Sequence, residues 1–349
     1  MLKPNRDVGL TSHGAYIPRY RLAGEEIARV WRGKDAGWPV KQKAVAGMDE
    51  DTATMSIEAA RNALWRAGID PKELKALWVG SESHPYAIKP TSTIVAEFLG
   101  ALPDIQAADW EFGGKAGTEA LQACIALVGS GMANYAMCIG MDAAQGRPGD
   151  ALEYTTAAGG AALIVGPAAE SIAVIEGSLS YVTNSTDIWR RADARYYSNA
   201  LRSTGADAYA DHVKAAASAL LGELGRTAAD YQHLILHQPD NKVPRRVAEA
   251  LGFSYDQYAA GFVVEDVGST HAGSALLGLS AVLDVAKAGD RILMVSYGAG
   301  AGSDAFSLVV TERIYAERFT APCVSDYIKR RLDIDYATYA RFQGKFQFN

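Results

Sequence analysis

Side chains that could transfer protons follow two apolar runs of the chain. Glu82 comes just after LKALWVG, and His237 comes directly after HLIL. Both runs are typical of buried strands, and functional loops of α/β folds collect at strand ends. Partial burial there would raise the pKa of Glu82 and suit it to general acid–base catalysis, although an exposed loop glutamate is the alternative. His237 could shuttle a proton, hydrogen-bond a substrate carbonyl, or make a purely structural hydrogen bond.

Two further segments carry candidate groups. Ser269 and His271 precede an apolar helix in DVGSTHAGSALLG, where Ser269 could act in catalysis or cap the helix. The glycine-rich GAGAGSDAF, from Gly298 to Phe306, supplies backbone donors and lets a ligand approach closely. It lacks the lysine of a P-loop and precedes no helix, which argues against nucleotide binding. Lys242 could bind an anion or remain solvated.

The segment EFGGKAGT begins a long apolar helix directly after the strand-like run IQAADWEF. The first turn of a helix presents free N–H groups and the positive end of the dipole, so it suits a reacting group. Here Gly113 and Gly114 lie at the entrance to that turn, and glycine offers no side chain that could react.

The alternation of these runs predicts the fold class. TMSIEAARNALWRAGID has apolar residues at helical spacing, with Thr54 as the expected cap and Gly68 as the end. The strand LKALWVGSES, the helix TSTIVAEFLGA and the strand IQAADWEF follow. Strands that alternate with helices imply an α/β protein with a mostly parallel sheet.

The chain also contains an internal repeat. A helix that begins at Gly117 is followed after about 17 residues by NYAMCIGMD and then by GGAALIVG. In the second half, AGSALLGLSAVLDVAKAG is followed by RILMVSYG, about 18 residues after Gly273, and then by GAGSDAFSLVV. Two copies of one module predict two lobes, residues 1–168 and 169–349. No linker separates them.

Composition excludes several classes of protein. With 349 residues, 49% of them hydrophobic, the chain can bury a large core. A net charge of -6 argues against a general nucleic-acid binder. No signal peptide and no apolar run of about 18 residues is present, so we expect a cytoplasmic protein that does not enter membranes. The cysteines lack metal-ligand or disulfide spacing, so we expect Cys124, Cys138 and Cys323 to be core residues.

Together these segments resemble the short, archaeal-type 3-hydroxy-3-methylglutaryl-CoA (HMG-CoA) synthases of the thiolase superfamily. The resemblance covers nearly the whole chain. It runs through VGLTSHGAYIPRYRL, KAVAGMDEDTATMSIEAARNAL, EFGGKAGT, GDALEYTTAAGGAALIVG, DIWRRADARY, LHQPDNKVP, YGAGAGSDAFS and DYATYARFQGKF. It implies a thiolase-like five-layered αβαβα sandwich built from two βαβαβαββ lobes.

The resemblance implies a role for each matching residue. Glu82 matches the glutamate that removes the α-proton of a thioester, and His237 matches the histidine that polarises the acetoacetyl carbonyl. Trp189 lies with two arginines in a matching WRR segment near the coenzyme A ester. The positions that match segments binding coenzyme A or the acyl groups are Lys242, Arg190, Arg191, Gly298, Gly300, Gly302 and Ser303.

Two segments depart from the family pattern. The cysteine that becomes acetylated in the family precedes Lys115, and here that position is Gly114. The family also has an asparagine followed by Thr-Tyr where this chain has Ser269-Thr270-His271. Cys124 cannot substitute, because it lies about ten residues into the same helix, roughly 15 Å along its axis. An aldol step, however, needs only an enolisable thioester, a base and donors for the enolate oxygen.

Three functions follow from this combination. The first is an acyl-CoA carbon–carbon bond enzyme that works without a covalent intermediate, by aldol or retro-aldol chemistry on a β-hydroxyacyl-CoA, as thiolase-fold proteins without the cysteine do. The space vacated by the cysteine, enlarged at Gly113, would then admit a bulkier acyl group. The second is an HMG-CoA synthase inactivated by a change from cysteine to glycine. The third is a non-catalytic acyl-CoA-binding subunit, against which Glu82 and His237 count.

The resemblance also implies partners. We expect an acyl-CoA substrate, at least a homodimer, and association with a small zinc-ribbon and OB-fold protein and with a thiolase. Coenzyme A enters as part of the substrate, and no metal or redox cofactor is implied.

Overall fold

A computed structural model describes residues 1–31, 38–199, 205–317 and 320–344. The strands are β1 (Val8–Tyr16), β2 (Tyr20–Ala23), β3 (Gln42–Val45), β4 (Leu74–Gly80), β5 (Gln106–Trp110), β6 (Tyr135–Ala143), β7 (Ala158–Pro167), β8 (Ala173–Val182), β9 (Ile188–Trp189), β10 (Ser198–Asn199), β11 (His233–Leu236), β12 (Arg291–Val295), β13 (Gly302–Val310) and β14 (Leu332–Ile334). The last two residues of the DYATYARFQGKF motif lie outside the described part.

The α-helices alternate with these strands over most of the chain. They are α1 (Gly24–Trp31), α2 (Thr52–Ala67), α3 (Thr91–Leu99), α4 (Ala116–Gly129), α5 (Ala151–Thr155), α6 (Gly205–Leu224), α7 (Val243–Ala250), α8 (Tyr255–Ala259), α9 (Val264–Val267), α10 (Ser274–Leu283), α11 (Ile314–Glu317), α12 (Val324–Lys329) and α13 (Tyr336–Phe342).

One large sheet has the strand order β11-β12-β13-β8-β1-β7-β6-β4-β5. Its two ends repeat one topology. In the order β4-β6-β7-β1 the first pair is parallel and the next two are antiparallel, and the order β11-β12-β13-β8 has the same pattern. The halves join where β1 pairs briefly with β8. The sequence repeat thus corresponds to a repeated topology, while the lobe boundary at residues 168 and 169 stays a prediction.

The expectation of a mostly parallel sheet is wrong. Three neighbouring strand pairs in the large sheet are parallel and five are antiparallel. For one antiparallel pair the reason is a short connection, since only a few residues join β12 to β13. A parallel pair needs a crossover of about a dozen residues or more, so such short connections favour antiparallel pairing.

The layers follow from the alternation of side chains along the strands. In β4, Leu77 packs with α2 and α3 on one outer face, whereas Trp78 packs with α4 and α10 in the middle. In β12, Met294 faces the same middle layer, and Leu293 faces α6 and α7 on the other outer face. Helices therefore cover both outer faces and fill the space between the two halves of the sheet, which confirms the five-layered, thiolase-like prediction.

Local signals set most helix ends, with one correction at α2. Asp51, not Thr54, is the N-cap, since its carboxylate accepts a hydrogen bond from the Thr54 backbone N–H at 2.8 Å. Thr54 completes the capping box from the third helical position. Gly68 ends the helix with φ of 64°, as predicted.

The cysteines pack in the protein interior, and the helices show no membrane-spanning character in the described part of the chain. Cys124, Cys138 and Cys323 are unpaired and buried, as expected from the sequence. Among the described residues, no helix combines the length and the apolar character that crossing a membrane would require.

Candidate active site

The structure brings five of the sequence candidates together around one cavity of about 290 Å³, called cavity A. Its lining includes Glu82 after β4, Gly114 before α4, His237 after β11, and Ser269 and His271 before α10. These positions are separated by up to about 190 residues of sequence, and the strand and helix ends of both halves of the fold place them at one point.

Sequence reasoning missed several other lining residues. Tyr197, Tyr209, Tyr297 and Asp187 contribute rings and a carboxylate to cavity A. The Tyr297 hydroxyl donates a hydrogen bond to Asp187, which also accepts one from the Gly300 backbone N–H at 2.8 Å. No motif or periodicity marks these tyrosines, so only their aromatic character could have suggested a role.

The Glu82 carboxyl is enclosed by potential proton donors. Its side chain is 16% exposed, and the Nδ1 atom of His271 lies 3.9 Å from its Oε2 atom. Burial raises the pKa of Glu82, whereas His271, a hydrogen bond from Tyr197, and Arg190 oppose the rise. Burial and the Glu82 charge raise the pKa of the Tyr197 hydroxyl, which therefore keeps its proton and can donate a hydrogen bond to Glu82. A carboxyl with a raised pKa suits proton transfer near neutral pH.

Asp142, at the end of β6, holds the Glu82 loop in place. Its Oδ1 atom accepts hydrogen bonds from the Ser81 hydroxyl at 2.7 Å, the Glu82 backbone N–H at 2.8 Å and the Ser83 hydroxyl at 2.7 Å. Its Oδ2 atom accepts one from the Ala272 N–H at 2.8 Å. One fully buried carboxylate thus ties the general-base candidate to the turn that carries His271. The signal in the sequence is an aspartate that ends the otherwise apolar run NYAMCIGM.

His237 is fixed through its backbone and is electrically neutral. Its N–H donates to the Val295 carbonyl at 2.9 Å, and its own carbonyl accepts from the Tyr209 hydroxyl at 2.5 Å. His237 as a whole is 5% exposed, and the Nδ1 atom of its ring has no hydrogen-bond partner among the described residues. Burial, and then the nearby His271, lower the pKa of His237 to about 3. A neutral imidazole can donate or accept one hydrogen bond without bringing a charge into the cavity.

The ring of His237 lies against Gly114. A Cβ atom built on Gly114 would lie 2.4 Å from Cε1 of His237 and 2.6 Å from the Tyr297 carbonyl oxygen. One on Gly113, where φ is 51°, would lie 2.8 Å from the Ala299 nitrogen. The expectation that these glycines leave space for a bulkier acyl group is therefore wrong, because the imidazole and nearby backbone already fill it.

The start of α4 is anchored by a buried lysine. Lys115 is fully buried and its Nζ atom lies 3.2 Å from Asp304 Oδ1, in addition to an ion pair with Glu119. It also lies 4.2 Å from the centre of the Phe112 ring. Since buried charges are stable only when paired, this cluster fixes the helix start against β13.

The glycine-rich segment packs on that helix start. A Cβ atom on Gly298 would lie 2.3 Å from the Phe112 carbonyl oxygen, and one on Gly302 would lie 3.0 Å from the Phe112 ring. The glycines thus permit close backbone packing. The lining of cavity A includes Tyr297 and Ala299 from this region, not the predicted residues, which are Gly298, Gly300, Gly302 and Ser303.

Ser269 and His271 lie in the turn before α10. That helix begins at Ser274 with Gly273 as its cap, so the alternative in which Ser269 caps it is wrong. His271 has φ of 44°, an unfavourable value for a residue with a Cβ atom, and its ring stacks on Tyr197 with centres 5.7 Å apart. Strain of this kind collects at functional sites, and here it aims an imidazole at Glu82.

The basic candidates take different positions. Arg190 lies beside Glu82 and donates to its backbone carbonyl at 3.0 Å. Arg191 and Lys242 are exposed and do not line cavity A, although Lys242 lies between the lining residues Asp240 and Val243. Their contact with coenzyme A stays a prediction.

Comparison with known proteins gives close relatives along the whole chain. It is 54% identical over 347 residues to the hydroxymethylglutaryl-CoA synthase of Pyrococcus horikoshii, with 99% of each chain covered. It is 51% identical over 346 residues to that of Methanosarcina barkeri, which covers 97% of this chain and 99% of the relative. Residues 221–310 match the family described as 3-oxoacyl-[acyl-carrier-protein (ACP)] synthase III C terminal.

Solved structures with the same fold are more distant in sequence. MvaS in complex with 3-hydroxy-3-methylglutaryl coenzyme A has a TM-score of 0.87 at 21% identity and covers 98% of this chain and 92% of that one. 3-Oxoacyl-(acyl carrier protein) synthase III from Pseudomonas aeruginosa PAO1 has a TM-score of 0.79 at 22% identity, with 88% and 99% covered. These similarities confirm the fold class.

Proposed function

The chain belongs to the hydroxymethylglutaryl-CoA synthase family, and from this membership we propose that it forms or breaks a carbon–carbon bond beside a coenzyme A thioester without an acyl-enzyme. The reaction is an aldol addition, or its reverse, on a β-hydroxyacyl-CoA. The observation that carries the proposal is the contact between His237 and Gly114. The catalytic nucleophile would be expected at Gly114, and the imidazole of His237 fills that space instead. Glu82 and His271 line the same cavity.

The protein needs to supply only proton transfers for this reaction. In the cleavage direction, Glu82 takes the proton of the hydroxyl on C3, the bond between C2 and C3 breaks, and its electrons move into the thioester enolate. C2 then takes up a proton, which gives a shorter acyl-CoA and an aldehyde or ketone. No oxidant, reductant or water is consumed.

The other residues of cavity A would stabilise charge. A neutral His237 can donate one hydrogen bond to an oxygen of the substrate, where negative charge develops in the enolate or alkoxide. His271, with its Nδ1 atom 3.9 Å from Glu82, favours the carboxylate form of Glu82 electrostatically. Asp142 and Arg190 hold the Glu82 backbone in position by its N–H and its carbonyl.

A second candidate is the condensation of acetyl-CoA with acetoacetyl-CoA, the activity of an ordinary HMG-CoA synthase that Gly114 has disabled. The identity of 54% to a protein of that name favours it. The packing at Gly114 disfavours it, because a cysteine there would require both His237 and the Tyr297 backbone to move. A third candidate, a non-catalytic acyl-CoA-binding subunit, gives no role to the enclosed Glu82 carboxyl.

Mass spectrometry of reaction products separates the three. The purified protein is incubated with β-hydroxyacyl-CoA esters, with Glu82→Gln as the test variant and Glu97→Gln, an exposed residue of α3, as control. Cleavage that Glu82→Gln abolishes and Glu97→Gln preserves supports the proposal. Condensation restored by Gly114→Cys supports a disabled synthase, and no turnover by any form supports a binding subunit.

A homodimer, a zinc-ribbon and OB-fold partner, a thiolase partner and a cytoplasmic location belong to the same proposal, as does a reaction that uses coenzyme A only as part of the substrate. They rest on the resemblance of the sequence to the family.

A further inference from the structure

One wall of cavity A is joined to the turn that carries His271. Leu152 and Thr155 of α5 line cavity A, as do Ser269 and His271 of the turn. The Thr155 carbonyl accepts a hydrogen bond from the Ser269 N–H at 2.7 Å, and the Ser269 carbonyl accepts one from the Ala157 N–H at 2.9 Å. Because these bonds join backbone to backbone, a shift of α5 moves the turn as well.

A buried lysine of β3 holds α5 in place. Lys43 is 2% exposed, and its Nζ atom donates hydrogen bonds to the Glu153 carbonyl of α5 and, at 3.0 Å, to the Tyr339 hydroxyl of α13. The Nζ atom also lies 4.5 Å from the centre of the Tyr339 ring. An ammonium group is costly to bury unless its donors have partners, so Lys43 binds α5 and α13 to each other.

The stem of Lys43 also packs against the turn. A Cβ atom built on Gly268 would lie 2.9 Å from the Cβ atom of Lys43 and 2.9 Å from the Thr155 carbonyl oxygen. Gly268 has φ of 85° and directly precedes Ser269. The lysine thus contacts α5 with its ammonium group and the turn with its stem, and a glycine permits this close approach.

The C-terminal helix α13 holds α5 at the side chain of Glu153, which is fully buried. The Tyr336 hydroxyl donates a hydrogen bond to Glu153 Oε1 at 3.0 Å and accepts one from the Trp31 Nε1–H at 2.9 Å. The Oε2 atom of Glu153 accepts a hydrogen bond from the Gly149 N–H at 2.7 Å. Lys43 and Tyr336 therefore fix α5 through the backbone and the side chain of one residue.

We propose that Lys43 and Tyr336 are positioning residues of the active site. They hold α5 through Glu153, and α5 in turn holds the imidazole of His271 beside the Glu82 carboxyl. The consequence for turnover rests on the proposed function, whereas the consequence for the position of His271 does not.

The pH profile of kcat/KM separates this role from a purely structural one. Burial raises the pKa of Glu82, His271 lowers it, Asp142 raises it, and Tyr197 and Arg190 lower it. Of these four residues, His271 is the one that the turn carries. If the turn relaxes, the lowering by His271 is lost. The acidic inflection, below which Glu82 is protonated, should then move to higher pH by about half a unit.

Two variants and a matched control provide this measurement. Lys43→Met keeps an apolar stem and removes the ammonium group, and Tyr336→Phe removes a single hydroxyl. Both should show the shift and lose kcat roughly tenfold. Arg66→Met, which removes a buried cation that donates to the Ala321 and Pro322 carbonyls, should lose stability and keep the original profile. If Lys43→Met does not fold, Tyr336→Phe decides alone. An unchanged profile in a folded test variant, or an equal shift in Arg66→Met, overturns the proposal.

NMR of the histidine rings tests the same link without turnover. The His271 ring stacks on Tyr197 with centres 5.7 Å apart, so its carbon-bound protons carry a ring-current shift. With 13C-labelled histidine, and with His271→Asn to assign the signals, the His271 resonances should move in Lys43→Met and Tyr336→Phe and stay in Arg66→Met. If they move and no form cleaves a thioester, the positioning role stands and the proposed function fails. If they do not move, the proposal is wrong.

Discussion

The imidazole of His237 occupies the space that a side chain at Gly114 would need, with its Cε1 atom 2.4 Å from the position of a Cβ atom there. Because of this contact, the start of α4 packs against His237 and leaves no space for a nucleophilic side chain at position 114. It also places the neutral His237 ring in the same cavity as the Glu82 carboxyl, so the cavity retains groups for proton transfer and charge stabilisation.

Gly114→Ala should destabilise the protein. The added methyl group meets both His237 and the Tyr297 backbone, and overpacking of this kind costs about 1–3 kcal/mol. Chemical denaturation measures the effect. Gly222→Ala is the matched control: it lies in α6 with nothing within 4 Å of a new Cβ atom, and Ala in a helix should gain about 0.5–1 kcal/mol. Equal stability of the two variants would show that position 114 is open.

The pH dependence of turnover should report the raised pKa of Glu82. The carboxylate form is the base, so activity is lost as pH falls through that pKa, which burial places above the ordinary glutamate value of about 4.3. His237, with a pKa of about 3, should add no further inflection to the pH profile near neutral pH. The measurement is the pH profile of kcat/KM for a cleaved thioester. A flat profile down to about pH 4.3 would exclude Glu82 as the base.

Asp142→Asn should lower both stability and kcat. An amide has one acceptor oxygen, so either the Glu82 loop or the Ala272 N–H loses its partner, at a cost of about 1–3 kcal/mol. Misplacement of Glu82 should reduce kcat on the order of 10²-fold. Asp284→Asn is the control, because Asp284 is a buried carboxylate that accepts a hydrogen bond from the Val324 N–H. This variant should lose stability without a change in kcat. A kcat loss of the same size in both variants would indicate general destabilisation.

Two substitutions of His271 distinguish the contribution of its imidazole ring from that of its backbone conformation. Asn tolerates positive φ better than Ala does, and φ at this position is 44°. His271→Asn and His271→Ala should therefore lose turnover alike, because both lack the imidazole beside Glu82, while thermal stability should fall further in His271→Ala. Full turnover in His271→Asn would show that the turn, rather than the ring, is what the reaction needs.

The sequence predicted the part of this site that strand and helix ends determine. Glu82 and His237 follow apolar strands, and such strand ends converge in an α/β fold, so their meeting could be anticipated. The links through Asp142 and Tyr197 could not, because they join segments about 60 and 115 residues from Glu82 with no periodic pattern. The sequence also did not predict that the His237 ring packs against Gly114, since this contact depends on side-chain packing that residue types alone do not specify.

One quenched reaction shows whether cleavage proceeds without an acyl-enzyme: the protein is incubated with 3-hydroxy-3-methylglutaryl-CoA, and mass spectrometry records the thioesters and the intact protein together. We expect acetyl-CoA and 3-oxobutanoate, no protein mass increased by an acyl group, and no cleavage by Glu82→Gln. Acylated protein during turnover, or cleavage that persists in Glu82→Gln, would contradict the proposed reaction.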